Sequence, residues 1–315
     1  MYDSTYEGHP LNGCLFEDSP APSPTLDAPG GSASGAGIPK MIDLRPYCTA
    51  VENQQKTNSC VANAIVGAVE LLQKKAGQND QDLSRLFLYY NARKVGDRET
   101  KDEGTYIHHG MAALMAHGVC EERMWPFQQV AVNQVPTQAC YQNATHYEAI
   151  QFARTPGGSA IAALAQELPV AFGIVLPGEC YAVAAQTGII PPPEVLPVTS
   201  PPSGHAMLIV GYDLEEKYFI VRNSWGPGYG KDGYILIPFD VMFKYAHPDQ
   251  FWTIGAIERA PGLRLMGMGV EEAAASYGAP VQRSGALDGL SGQLRGELEG
   301  RLDKAKSDFA SRLKS

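Results

Sequence analysis

Cys60, His205 and Asn223, with Gln54 six residues ahead of the cysteine, are the side chains whose types and order suit covalent catalysis. Cys60 opens the best-defined helical pattern in the chain. Backbone N–H groups and the dipole at a helix start favour an anion, so a lowered thiol pKa and a nucleophilic thiolate are expected there. Taken alone, a free cysteine is more often a small buried hydrophobe. His205 lies in SGHAMLIVGYD at the lip of a strand pattern. Its imidazole can hold a thiolate as an ion pair and then protonate a leaving amine; a lone histidine is more often a structural hydrogen bonder. Asn223 begins NSWG after the next strand. Its amide can accept from the far imidazole nitrogen and orient the ring, with Trp225 shielding that bond; its plainer reading is a turn asparagine. Gln54 can donate to an oxyanion alongside the Cys60 backbone N–H.

These residues need elements to hold them. From Cys60 to Gly77, Val61, Ile65, Val69, Leu72 and Ala76 recur at helical spacing, with Asn58 or Ser59 as cap and Lys74, Lys75 and Gly77 at the far end. Two further helical patterns run over 81–94 and 106–118. Beyond about residue 165 short apolar runs take over, at 169–175, 206–212, 218–222 and 234–237, and read as strands. Helices first and strands later predict an α+β protein with a helical lobe against a β lobe and a cleft between them. Residues 18–37, rich in Pro, Ser, Gly and Ala, read as a linker or tail. Tyr2, Tyr6, Leu11 and Phe16 around it are possible anchors. At the other end Leu287, Leu290, Leu294, Leu298, Leu302, Ala305, Phe309 and Leu313 form one apolar helical stripe. Interleaved glycines weaken that helix, so it needs a partner surface.

Composition limits the alternatives. The chain has 315 residues, 25 Lys+Arg against 34 Asp+Glu and a net charge of −9, so it lacks the basic field a nucleic-acid partner requires. No apolar run is long enough for a transmembrane segment. The opening MYDSTYEGHPLNG has neither the basic nor the apolar region of a signal peptide, so a cytoplasmic location is the default expectation, with non-classical export left open. The six cysteines form no CxxC pair. Their even number is compatible with three disulfides, but a free nucleophile leaves five and breaks full pairing.

The sequence resembles the papain-like cysteine peptidases over roughly Ile38 to Ala260. The resemblance rests on IPKMIDLR at 38–45, ENQQKTNSC at 52–60, SGHAMLIVGYD at 203–213 and RNSWGPGYGKDGYILI at 222–237. His205 lies 145 residues after Cys60, inside the papain-type interval. The resemblance implies a two-lobed α+β fold, with a helical left lobe, an antiparallel β right lobe and the active-site cleft between them. It also implies hydrolysis of peptide or protein substrates through an acyl-thioester, without metal or organic cofactor. Cys60 would be the nucleophile, His205 the acid/base, Asn223 its orienter and Gln54 the oxyanion donor. Gly104, Thr105, Tyr106, Ile107, Gly204 and Trp225 would contact substrate, with an apolar preference at the pocket of Tyr106, Ile107 and Gly204. The implied domains are an extension over 1–37, a catalytic domain over 38–262, and a linker with amphipathic helix over 263–315. That helix is expected to dock on the catalytic domain, another copy or a larger assembly rather than on a membrane.

The departures from the family are specific. Thr57 and Val61 stand where a disulfide cysteine and a tryptophan are common, and KDEGTY at 101–106 lacks the partner cysteine. Thr105 replaces the second glycine of a pair, and its side chain is expected to narrow the nonprime cleft. The long inhibitory propeptide is missing, while the spacing of 118–144 matches bacterial members. A short extension crossing the cleft would restrain such an enzyme. GPGYGKDG at 226–233 leads into a strand and is no phosphate loop. His108, His109 and His117 lack a carboxylate or cysteine at ligand spacing and are expected on solvated helix surface. Asn143-Ala-Thr145 is a glycosylation sequon by accident. The prolines of 191–202 are expected in an extended loop before His205. Acyl transfer or amide hydrolysis by the same machinery, and a catalytically silent peptide-binding module, are the competing functions.

Overall fold

A computed structural model describes residues 5–17, 38–78, 81–147, 149–155 and 157–257. The stretch 18–37 and the C-terminal stripe of 287–313 lie outside the described residues, as does Tyr2. The elements in chain order are β1 (Thr5–Tyr6), β2 (His9–Pro10), β3 (Met41–Asp43), α1 (Cys60–Lys75), α2 (Arg85–Lys94), α3 (Ile107–His117), α4 (Gln138–Ala144), β4 (Ala149–Arg154), α5 (Ala160–Ala165), β5 (Val170–Leu176), α6 (Gly178–Thr187), β6 (Ser203–Asp213), β7 (Tyr218–Arg222), β8 (Tyr234–Pro238), α7 (Phe239–Tyr245) and β9 (Ala246–Ile257). Helices dominate the first half and strands the second, as the change of periodicity predicts. All six cysteines are buried, unpaired thiols.

Seven strands form an antiparallel sheet in the order β4-β9-β5-β6-β7-β8, with β3 added along β6. β6 is central and its residues 205–212 are all buried, which explains its near-continuous apolar text. α1 is buried from Cys60 to Gln73, so it is apolar nearly all round and sits between the sheet and the other helices. Its one buried acid, Glu70, accepts from Thr49 Oγ1 at 2.6 Å and from the Leu83 N–H at 2.9 Å. α2 starts at Arg85 rather than 81, because Ser84 is its cap and accepts from the Phe87 N–H. α1 starts at Cys60 after Ser59, whose hydroxyl serves Thr57 and Asn63 instead of a cap bond.

Two loops frame the start of α1. The 52–54 segment is bridged to 224–226 by Gln54 N–H to Ser224 O at 2.8 Å and Gly226 N–H to Glu52 O at 2.8 Å. The 101–105 loop is clamped by Asp102. Its carboxylate accepts from the Asn58 N–H at 2.9 Å and the Tyr89 hydroxyl at 2.6 Å, and its carbonyl accepts from Asn58 Nδ2 at 2.8 Å. A 3-10 turn over Pro193–Val195 and the bonds of Thr199 and Ser200 to the Glu179 carboxylate order the proline-rich loop that leads to His205.

Candidate active site

Cys60 is the first residue of α1, His205 lies on β6, and Asn223 follows β7. Cys60 and His205 are fully buried and Asn223 nearly so. Asn223 Oδ1 lies 2.8 Å from His205 Nε2 and also accepts from the Ser224 backbone N–H at 2.8 Å. The second bond identifies the amide oxygen. Since that oxygen can only accept, His205 Nε2 carries the proton and Nδ1 holds a lone pair. Nδ1 is buried without a hydrogen-bond partner among the described residues. Trp225 stacks on the imidazole, with centroids 4.9 Å apart, and excludes water from the His205–Asn223 bond. The structure thus joins His205 and Asn223, 18 positions apart in sequence, in one hydrogen bond.

Gln54 is fully buried, with Nε2 donating to Thr57 O at 2.9 Å and Oε1 accepting from Ser224 Oγ at 2.6 Å. One amide hydrogen stays free for a further acceptor. Thr57, standing where a disulfide cysteine is common in the resembling family, closes this turn by donating from its hydroxyl to Gln54 O at 2.8 Å.

The residues that sequence reasoning did not place at the site, His9, Gly13 and Cys14, lie in Thr5–Glu17: Thr5–Pro10 folds as the β1–β2 hairpin, and Leu11–Glu17 crosses the site as a strap. Tyr6 and His9 stack on the face of Trp225, at 5.5 and 5.3 Å between centroids. Leu11 and Cys14 are almost fully buried. Cys14 pairs with Thr105 in a parallel bridge, through Leu15 N–H to Thr105 O and Thr105 N–H to Gly13 O, both 3.0 Å. Cys14 N–H donates to Gly204 O at 3.1 Å. Phe16 continues to a stacked contact with His247. Gly13 passes over Cys60: a methyl placed on its α-carbon would come within 2.8 Å of Sγ. Of the anchors suggested by sequence, Tyr6, Leu11 and Phe16 do pack, so this part of the extension is no solvated tail.

The strap corrects the expected chemistry of Cys60. Burial pushes the thiol up to about 12, outweighing the lowering by backbone N–H groups of Ala206, Val61 and Cys60 itself. A lowered pKa is thus not a property of this closed form. Burial depresses His205 to about 4, against a raising contribution from Asn223. Thiol and neutral imidazole coexist under the strap, where an ion pair would lack water.

The expected substrate residues divide. Gly104, Thr105 and Gly204 line the strap's backbone. Gly104 has φ +79°, and a methyl there would meet Gly13 O at 2.5 Å, so this loop accepts a chain at close range. Thr105 is buried, yet its backbone bonds run to the extended strap on both sides, so the side chain does not close the cleft to such a chain. Ile107 is buried at the start of α3, while the Tyr106 ring packs on His108 and His109. Those two histidines are also buried, which corrects their expected place on a solvated surface. Burial lowers them to about 4 and about 3, so both are neutral at pH 7. His117 is half-buried, in an edge contact with Tyr141.

Comparison with known proteins adds to this geometry. A profile of the papain family cysteine proteases matches residues 38–245. An uncharacterized peptidase C1-like protein of Acanthamoeba polyphaga mimivirus is 30% identical over 234 residues, 69% of this chain and 75% of that protein. Human cathepsin L2 is 28% identical over 218 residues, 64% of this chain and 61% of its own length. Among solved structures, xylellain, a cysteine protease from Xylella fastidiosa, superposes with a TM-score of 0.69 at 29% identity, covering 78% of this chain and 95% of xylellain. Procathepsin L2 proteinase from Tenebrio molitor larval midgut shares the fold, with a TM-score of 0.62 at 19% identity over 79% of this chain and 78% of its own.

Proposed function

Because the chain belongs to the papain family of cysteine proteases, cysteine-type peptidases of the hydrolase class, we propose that it cleaves peptide bonds through an acyl-thioester on Cys60. The observation that carries this reading is the His205–Asn223 bond, which leaves a lone pair on the buried Nδ1 of the residue next to Ala206, whose backbone N–H serves the Cys60 sulfur. In the open cleft His205 takes the Cys60 proton, and Sγ attacks the substrate carbonyl carbon. The free amide hydrogen of Gln54 and the Cys60 backbone N–H receive the negative oxygen. As the C–N bond breaks, His205 gives its proton to the leaving amine. Water then attacks the thioester, His205 accepts a water proton, and the acid product leaves as the proton returns to sulfur.

The catalytic domain in this reading is 38–262, and residues 1–37 are a short inhibitory extension. The strap supports that role by its chemistry as well as its position. It presents an α-carbon to the sulfur, and the Gly13 carbonyl oxygen is held by the Thr105 N–H instead of by Gln54. The strap therefore occupies the nucleophile without offering it an aligned carbonyl. A silent binding module draws support from the same inert, covered thiol, and acyl transfer to an amine would use the same residues.

An epoxysuccinyl peptide tests these readings. The reagent is incubated under mild reduction with the full chain and with chain lacking residues 1–37, and adducts are mapped by mass spectrometry. A Cys60 adduct that is lost in His205→Ala and forms faster after truncation is the expected result. Product analysis with added amines separates hydrolysis from acyl transfer. A folded, truncated chain that takes no label would sink the peptidase reading and leave the binding module.

A further inference from the structure

The same strap carries Glu17 to the start of α3, where His108 and His109 lie in sequence. His108 and His109 are each at least nine-tenths buried, and their rings meet edge to face at 4.5 Å. Neither ring makes a hydrogen bond among the described residues, and the Nδ1 atoms of both are buried without a partner. A buried imidazole without a partner is costly, and neutral imidazole nitrogen is a metal ligand. Glu17 Oε2 approaches His108 Nε2 at 3.8 Å, and one ligand atom from each of the three residues lies within 4.8 Å of the other two.

We propose that Glu17, His108 and His109 form a site for a divalent zinc-like cation that fastens the strap to the helical lobe. Two imidazoles and one carboxylate are a donor set that zinc accepts with water as fourth ligand. Zinc–ligand bonds of about 2.0–2.1 Å put tetrahedral ligand atoms about 3.4 Å apart. The ligand atoms, at most 4.8 Å apart, must therefore close by up to about 1.4 Å, and partly exposed Glu17 is the member freest to move. The carboxylate missing from the histidine spacing in sequence comes from 91 positions earlier in the chain. Since opening the strap removes Glu17, the closed form binds the cation more tightly, and the cation in turn favours the closed form. The effect on activity rests on reading the strap as a brake; the cation site itself does not.

The test uses full-length Cys60→Ser, which removes the nucleophilic thiol as a competing ligand. Zinc is titrated by calorimetry, cobalt is followed by absorption, and backbone exchange of Cys14 and Leu15 is measured with and without zinc. One equivalent of zinc should bind, and Cys60→Ser combined with Glu17→Gln or with His109→Gln should weaken it at least tenfold. His117→Gln should not weaken it. Zinc should slow exchange of the two strap amides in the parent and not in the Glu17→Gln chain. Glu17→Gln keeps the test valid should His109→Gln fail to fold, because its side chain is half-exposed. Unchanged zinc affinity in Glu17→Gln, or a thiolate-to-cobalt charge-transfer band, would overturn the site. Zinc binding without Cys60 labelling in the truncated chain would instead count against the peptidase reading alone.

Discussion

The α-carbon of Gly13 faces the sulfur of Cys60 with no room for a side chain between them. A methyl on Gly13 would meet Asn58 O at 2.6 Å and Cys60 Sγ at 2.8 Å, and the first of these is backbone that cannot swing aside. Overpacking of this kind costs about 1–3 kcal/mol. Gly13→Ala is therefore expected to raise the open population, and Cys60 labelling in the full chain should accelerate about 5- to 150-fold. The rate in chain lacking residues 1–37 measures the upper limit. Equal rates for Gly13→Ala and the parent would show that the strap does not govern access.

The pH dependence of alkylation should differ between closed and open forms. Burial raises the Cys60 thiol to about 12, so the closed chain should react faster with every rise in pH through 9 and beyond. Removing the strap restores water and leaves the N–H groups of the α1 start, which lower the pKa. The truncated chain is expected to reach half-maximal alkylation below the ordinary thiol value of about 8.5. Stopped-flow alkylation with a small neutral reagent across pH 5–10 reads both curves. Coincident midpoints would contradict burial as the cause.

Gln54 and Asn223 should separate in their kinetic signatures. Alkylation forms no oxyanion, so in truncated chain Gln54→Ala should leave alkylation of Cys60 nearly unchanged. Peptide hydrolysis should fall about 10²- to 10³-fold in kcat with little change in KM. Asn223→Ala frees the imidazole that both reactions need. Loss of a hydrogen bond to a charged group, about 1.5–3 kcal/mol, predicts about a 10- to 150-fold fall in both rates. A Gln54→Ala chain that loses alkylation as well would assign Gln54 to positioning through Thr57 and Ser224.

Glu70 provides a stability prediction away from the cleft. Burial raises its carboxyl from 4.5 to about 7, with Thr49, Arg222 and the Leu83 N–H opposing the shift. Between those two values the folded chain holds a proton that the unfolded chain has released. Stability from this group is full below about 4.5 and is lost as pH rises through 7. Glu70→Gln, which keeps the acceptor for Leu83, should flatten this part of the pH profile. Denaturant melts at pH 5 and pH 8 compare the two chains, and a steeper fall in the variant would refute the assignment.

The candidate site residues are legible because their signals are local. Cys60 at a helix start, His205 on a buried strand and Asn223 ahead of Trp225 each carry their element with them. The sheet is legible for a similar reason: β7 coincides with the apolar run 218–222, and β6 extends its run by three residues at the start and one at the end. The strap is legible only in part: a short extension across the cleft and the anchors Tyr6, Leu11 and Phe16 can be read from sequence, but the path between them is set largely by backbone bonds. The bonds of Cys14, Leu15 and Gly13 to Gly204 and Thr105 need no side chain, and backbone groups leave no periodic mark in the sequence. The thiol pKa departs from the expectation for the same cause. The helix-start argument is correct at Cys60, but the strap removes water from it. His108 and His109 looked solvated because nothing near them in sequence reveals the packing of Tyr106 or the approach of Glu17.

Strap and cleft are parts of one chain, and under the proposed brake this makes latency a first-order equilibrium. Dilution cannot open the cleft, and raising the protein concentration cannot close it. A short tether holds its ligand at a local concentration of the order of millimolar, which a substrate in solution must outcompete. A single cut anywhere from residue 18 to 37 changes the molecularity. The strap then becomes a free peptide whose hold weakens with each dilution, and a reversible restraint becomes a commitment to the open form.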